Sequence, residues 1–223
     1  DRRQRQMCIR DRGSSAPHGL SKEVKEKVIH PLDLFLDLGV ANRAEVEELG
    51  IQIGDMITPD TEFTVMNNPN YLMGKAWDDR LCAAMVVDVM RLLSQDKHKC
   101  NLYGVGTVQE EVGLRGARTA ANMLHPDVAI ALDVTTSMDT PMDKGINGLG
   151  KGVVLSLMDA GIIANKNFIA KMEEICKDLD LDINYDMMTC GGTDADNIHK
   201  AHDGVVTMTL SIPTRYMHCL LYT

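Results

Sequence analysis

Apolar and polar positions follow two different rhythms along the chain, and the change falls near Tyr71. Before it, Leu32-Asp-Leu-Phe-Leu-Asp-Leu38 sets apolar against acidic residues at period two, which predicts a half-buried strand ending at Gly39. A short helix is expected next, with Asn42 as its cap, Glu45 at the third position of a capping box and Gly50 closing it. Two more short strands fit between Ile51 and Val65, around Gly54-Asp55 and Thr58-Pro59-Asp60. Residues 13–68 therefore read as a small β-rich module without a catalytic constellation.

After Tyr71 helical and strand patterns alternate, which predicts an α/β layer with helices covering a sheet. Apolar residues at 82, 85, 86, 89, 92 and 93 make one stripe of a helix from Asp79 to Ser94. The expected order is then strand 101–109, helix 114–124, strand 128–133, strand 152–157, helix 165–179, helix 193–202 and strand 205–212. Residues 69–218 form this second region.

Composition narrows the class. A chain of 223 residues with 44% hydrophobic content is long enough to bury a core. It contains no run of about 18 apolar residues and no apolar segment suited to a signal peptide, so a membrane partner is not expected and the cytoplasm is the expected location. The formal charge is −9; Asp1 to Arg12 holds five arginines and two aspartates (+3), which leaves −12 on the remainder and argues against nucleic acid as a partner. Six cysteines, none in a Cys-x-x-Cys pair, read as reduced thiols, with Cys82 and Cys176 buried on helices. Residues 1–12 lack periodicity and residues 219–223 follow His218 abruptly, so both ends read as non-native tails; a natural basic arm is the alternative for the first.

The chemistry lies at the edges of apolar runs. Val105-Gly-Thr-Val-Gln runs into Glu110-Glu111, and neighbouring strand positions point apart, so one carboxylate can bind metal while the other faces the attacking water. Ala129-Ile-Ala-Leu ends in Asp133, Asp78 precedes a helix, and His218 follows the last strand with a nitrogen ligand. Alone, each has a plain reading: Asp78 as a helix cap, Glu110 and Glu111 as solvated charges, Asp133 as a turn former. Together they suit metal-assisted hydrolysis, because divalent cations offset the cost of burying carboxylates. Zinc or cobalt fits such ligands, and manganese is compatible.

Six motifs in order carry a resemblance: Gly74-Lys-Ala-Trp-Asp-Asp-Arg80, Gln109-Glu-Glu-Val-Gly-Leu-Arg-Gly-Ala117, Ala131-Leu-Asp-Val-Thr135, Leu149-Gly-Lys-Gly152, Gly191-Gly-Thr-Asp-Ala195 and Ile212-Pro-Thr-Arg-Tyr-Met-His218. In spacing they resemble the tetrahedral (TET-type) metallo-aminopeptidases, the glutamyl and deblocking aminopeptidase family, over Gly13 to His218. The resemblance implies a zinc-exopeptidase-like mixed sheet flanked by helices, preceded by a dimerisation module. It implies two divalent metal ions, with Asp78 bridging both, Glu111 and His218 completing one shell and Asp133 serving the other. Glu110 would be the general base, and Gly191, Gly192, Thr193 and Asp194 would line the cleft for peptide substrates. Dimers assembling into a hollow tetrahedral dodecamer are implied as well.

One departure matters. The family's early His-x-Asp has no counterpart before Gly13, so residues 13–68 and 69–218 are expected to be partial domains, and the second metal would lack an imidazole. Cys219 also stands where the family favours a small hydroxyl residue. Two further functions stay open: a catalytically silent fragment that only assembles or binds peptide, and a glycoside hydrolase using Glu110 with Asp133. Gly145-Ile-Asn-Gly-Leu-Gly-Lys151 starts like a phosphate-binding loop, but Gly152 and a strand follow where a hydroxyl and a helix are required. His199 and His202 lie three apart without a partnering carboxylate and read as surface residues.

Overall fold

The computed structural model describes residues 12–13, 35–58 and 61–218. The expected tails, apart from Arg12 and including all of 219–223, lie outside the described residues, as do positions 32–34 of the first expected strand. The chain divides between Lys75 and Ala76 into two compact units.

In the first unit, β1 (Arg12–Gly13) pairs antiparallel with β2 (Phe35–Leu36), and β3 (Thr64–Val65) pairs antiparallel with β4 (Leu72–Met73). Between the two pairs lies α1 (Arg43–Glu48), and its start is built as the sequence predicts. Asn42 Oδ1 accepts the Glu45 N–H at 3.2 Å, and the Glu45 carboxylate reaches back to the Ala41 N–H at 2.9 Å. The ladder that forms here joins Thr64–Val65 to Leu72–Met73, downstream of the turn at Gly54; Pro59 and Asp60, around which a second strand was expected to turn, lie outside the described residues.

The second unit is a mixed α/β layer. It contains α2 (Trp77–Leu93), α3 (Arg115–Leu124), β5 (Val128–Thr136), β6 (Val153–Met158), α4 (Lys166–Asp178), β7 (Ile183–Met187), α5 (Ala195–Ile198) and β8 (Val206–Thr214). The sheet order is β5-β8-β6-β7, with β5 parallel to β8, β6 parallel to β7 and β6 antiparallel to β8. Consecutive residues of β8 are buried, so both of its faces are covered and its alternate residues do different work. Met208 packs with Leu155 of β6 and Ile169 of α4 in one apolar cluster, with Leu210 beside them. Thr207, Thr209 and Ser211 take the opposite face and are each 2% exposed. Asp133 pairs in register with Ser211, so it shares this polar face.

The segment 101–109 forms no strand among the described residues. Its apolar alternation states a face preference, but a strand also needs a partner edge. Its terminal carbonyls go elsewhere: Val108 O accepts the Gly116 N–H at 2.9 Å and Gln109 O the Arg115 N–H at 3.2 Å, satisfying donors at the start of α3. A Cβ at position 116 would collide with the Val108 backbone, so glycine is required there. The last expected helix is also short, four residues of α5 followed by turns, and β7 adds a strand that periodicity had not marked. Cys82 and Cys176 are buried on α2 and α4, as expected. Among the described residues, no helix is long and apolar enough to cross a membrane.

Leu155 is fully buried in the β6–β8–α4 cluster. Leu155→Ala should therefore cost about 2–5 kcal/mol, read as a lower midpoint in chemical denaturation; an unchanged midpoint would remove this cluster as the core of the unit.

Candidate metal centre

The site begins at the irregular start of α2. Ala76 has a left-handed backbone, and Asp78 and Asp79 depart from helical torsions with a cis peptide between them. Asp79 caps the regular helix by accepting the Cys82 N–H at 3.2 Å. The capping role open to Asp78 thus falls to its neighbour, and Asp78 is free for other work. Its Oδ2 lies 2.9 Å from His218 Nε2, and Glu111 Oε2 lies 3.5 Å from the same nitrogen. Asp78, Glu111 and His218 each offer a ligand atom within 4.8 Å of the others.

Glu110 and Glu111 stand in a turn, not on the strand expected, and differ in burial. Gly113 and Leu114 N–H groups both donate to Glu110 O, at 3.0 and 2.8 Å, closing a turn that leaves Glu110 half-buried and Glu111 exposed. His218 likewise stands four residues beyond the end of β8, in a turn where its own backbone is left-handed. Two charges anchor that turn. Arg215 donates through Nε and Nη2 to the two oxygens of Asp139, both at 2.8 Å, and Asp139 also accepts from Ser137 Oγ and the Leu149 N–H. The Arg215 guanidinium is the main cause that holds the Asp139 carboxyl well below the usual carboxylate range.

Around the three-residue cluster the carboxylates disturb one another. Burial first, then Asp79, Glu110 and Asp78, raise Asp133 to about 8 against the opposing Val134 N–H. Burial raises Glu110 to about 7, helped by Asp194, Glu111, Asp78 and Asp79. Glu111 and Asp79 are also raised, first by burial; His218 pulls Glu111 the other way. Asp194, raised by burial, accepts from Thr107 Oγ1 at 2.6 Å, while its Oδ1 is buried without a partner. A group of carboxylates short of positive charge, with one orphaned oxygen, fits divalent cations as the missing partners.

The structure therefore brings Asp78, Glu111 and His218 into contact and sets Glu110, Asp133 and Asp194 within their electrostatic reach. In the loop ahead of α5, Gly191 is exposed and left-handed, Gly192 is half-buried, and Thr193 is buried with its Oγ1 2.8 Å from Thr209 Oγ1. Asp79, Thr107, Asp139 and Arg215 were not singled out by sequence. The adjacent aspartates in the first turn of α2 carried a capping signal, whereas the Asp139–Arg215 pair spans 76 residues and leaves no local trace. His199 Nδ1 lies 3.0 Å from Ala195 O, and His202 stacks on His125 at 3.6 Å, so the two do not converge on one point.

A four-stranded mixed sheet and a cluster of two carboxylates and an imidazole define an α/β domain with a candidate metal centre. The chain belongs to the M42 glutamyl aminopeptidase family, whose model matches residues 11–221. It is 36% identical over 211 residues to lysyl aminopeptidase of Pyrococcus furiosus, covering 92% of this chain and 59% of that protein. A TET aminopeptidase from a marine sediment Thaumarchaeota archaeon has the same fold, with a TM-score of 0.86 and 36% identity, over 92% of this chain and 59% of its own. The Pyrococcus horikoshii TET1 peptidase, which can assemble into a tetrahedron or a large octahedral shell, matches with a TM-score of 0.75 and 31% identity over 92% and 59%. The chain thus spans under two thirds of the length of these relatives.

Asp139→Asn should destabilise the chain by about 1–3 kcal/mol at neutral pH. Since pairing depresses the folded-state pKa, the ion pair contributes above the unfolded value of about 3.9 and its contribution is lost as pH falls through the folded one. Thermal midpoints of parent and variant should therefore converge in acid; a constant gap would show that charge is not what holds the turn.

Proposed function

We propose that this chain carries the catalytic centre of a two-metal aminopeptidase that removes N-terminal residues from peptides. The observation that carries the reading is the meeting of Asp78, Glu111 and His218, from a helix start and two turns, with Glu110 beside them. Asp78, Glu111 and His218 would hold one cation, and Asp78 with Asp133 the other. When bound, divalent ions supply Lewis acidity toward the scissile carbonyl and lower the pKa of water. Zinc or cobalt suits the donor set, and manganese is compatible.

Glu110 is the general base. It is half-buried, and its proton affinity near neutrality suits it to take a proton at its carboxylate and return it to the leaving amine. Thr107 orients Asp194 beside it, and Thr193 fixes the loop from below through Thr209. We assign Gly191, Gly192, Thr193 and Asp194 to the wall of the peptide cleft, Thr193 through its backbone. The side chain removed is left open, because the family name is glutamyl and a relative is a lysyl enzyme. Family membership favours this reading over glycoside hydrolysis.

Residues 13–68 are assigned to a dimerisation module, in a homo-oligomer of the kind the Pyrococcus horikoshii relative builds. The exposure of Ile53, Met56, Ile57 and Phe63, four large apolar side chains within eleven residues, supports an interface there. A cytoplasmic location accords with the proposal.

With aminoacyl p-nitroanilides as substrates, Glu110→Gln should lower kcat about 10²–10⁴-fold and leave bound metal unchanged by elemental analysis. Retained turnover would remove the base assignment, and a metal-loaded parent chain without turnover would favour a fragment that only assembles or binds peptide.

A further inference from the structure

A second acidic group lies apart from the metal cluster. Asp159, in the turn after β6, is 6% exposed, and its Oδ1 accepts the N–H groups of Gly161 at 2.8 Å and Ile162 at 2.9 Å. Its Oδ2 is buried without a conventional donor, and so is Oδ1 of Asp196 on α5. The Asp196 carboxyl occupies the space that side chains at Gly161 and Gly192 would fill, since a Cβ on either glycine would collide with it. Both carboxyls therefore crowd Gly161, Asp159 through its N–H and Asp196 against its Cα, which places them side by side. Ionised carboxylates only accept, so this contact requires a proton between them.

We propose that Asp159 and Asp196 share one proton, and that the resulting acid–carboxylate hydrogen bond is a pH-dependent clamp that docks the Gly191–Asp196 loop on the turn after β6. Two backbone donors favour Asp159 as the anionic acceptor, which leaves the proton on Asp196. Burial and then Asp159 hold the Asp196 carboxyl well above the ordinary carboxylate range, and Lys200 opposes them. Among the described residues, the charged groups acting on Asp196 are Asp159 from the turn and Lys200 from the segment after α5, while the loop itself presents Gly192. A bond from the Ala160 N–H to Gly191 O, 3.1 Å long, joins the same two segments and gives the loop a second attachment.

The sign follows from the raised pKa. The clamp is complete below the unfolded value and is lost as pH rises through the folded one, when two adjacent anions replace the hydrogen bond. Because the loop also carries Asp194, whose Thr107 contact faces Glu110, opening the clamp would loosen one wall of the peptide cleft. That consequence rests on the aminopeptidase reading, whereas the clamp itself does not. Asp159 and Asp196 are therefore positioning residues, outside the reacting groups.

Hydrogen–deuterium exchange on the intact chain tests the clamp independently of turnover. Protection factors for amides 193–197, corrected for intrinsic exchange, should fall at least about tenfold between about pH 5.5 and about pH 8.5. Asp196→Asn, whose amide donates to Asp159 at any pH, should keep its protection across that range, and Asp159→Asn should do the same by donating to Asp196. Asp196→Ala should lack the protection at both ends. Protection in the parent that does not change with pH, or Asn variants that follow the parent's fall, would overturn the proposal; if one Asn variant does not fold, the parent and the other still decide it.

Discussion

Carboxylates crowded beside a buried sheet repel one another and resist dehydration, and the second unit is organised around that cost. Asp78, Asp79, Glu110, Glu111, Asp133 and Asp194 all press on the same region, and burial is the leading cause wherever their proton affinities rise. Such a group survives folding only if neighbours or ions neutralise it. Several carboxylates are given work in the protein itself: Asp79 caps α2, Asp194 accepts from Thr107, and Asp133 accepts the Val134 N–H. Asp78 and Glu111 are instead turned toward His218, with no backbone donor to them among the described residues, which is the arrangement a cation completes.

The scaffold makes this crowding possible by dividing the labour between the faces of β8. Met208 and Leu210 fasten one face to Leu155 and α4, while Thr207, Thr209 and Ser211 keep the other face polar. Asp133 is delivered to that polar face by its register with Ser211, and Thr193 is tied to it through Thr209. The bidentate Asp139–Arg215 pair then fixes the turn leading to His218. Side chains far apart in sequence are positioned by one central strand and a few polar ties.

The sequence was most legible where local chemistry decides structure. The Asn42–Glu45 capping box, the helix of α2 and the apolar runs of β5, β6 and β8 appear where periodicity and capping place them, although Met85, Val89 and Leu92 of the α2 stripe are exposed. It was less legible where a partner decides. Residues 101–109 alternate like a strand, yet their last carbonyls bond to the start of α3, so the separation of Glu110 from Glu111 comes from a turn. Asp78 and Asp79 are adjacent and chemically identical, and only tertiary placement assigns capping to one and frees the other. The grouping of Glu111, Asp78 and His218 was legible only through the family resemblance; the Asp139–Arg215 support and the Asp159–Asp196 contact have no motif and arise from tertiary placement.

Isothermal titration of the chain with zinc and with cobalt tests the central claim most directly. One saturable high-affinity equivalent is predicted, weakened about 10–100-fold or more by His218→Ala, together with a weaker second equivalent where Asp78 and Asp133 have no imidazole among the described residues. No saturable binding of either ion, or binding indifferent to His218, would contradict the account.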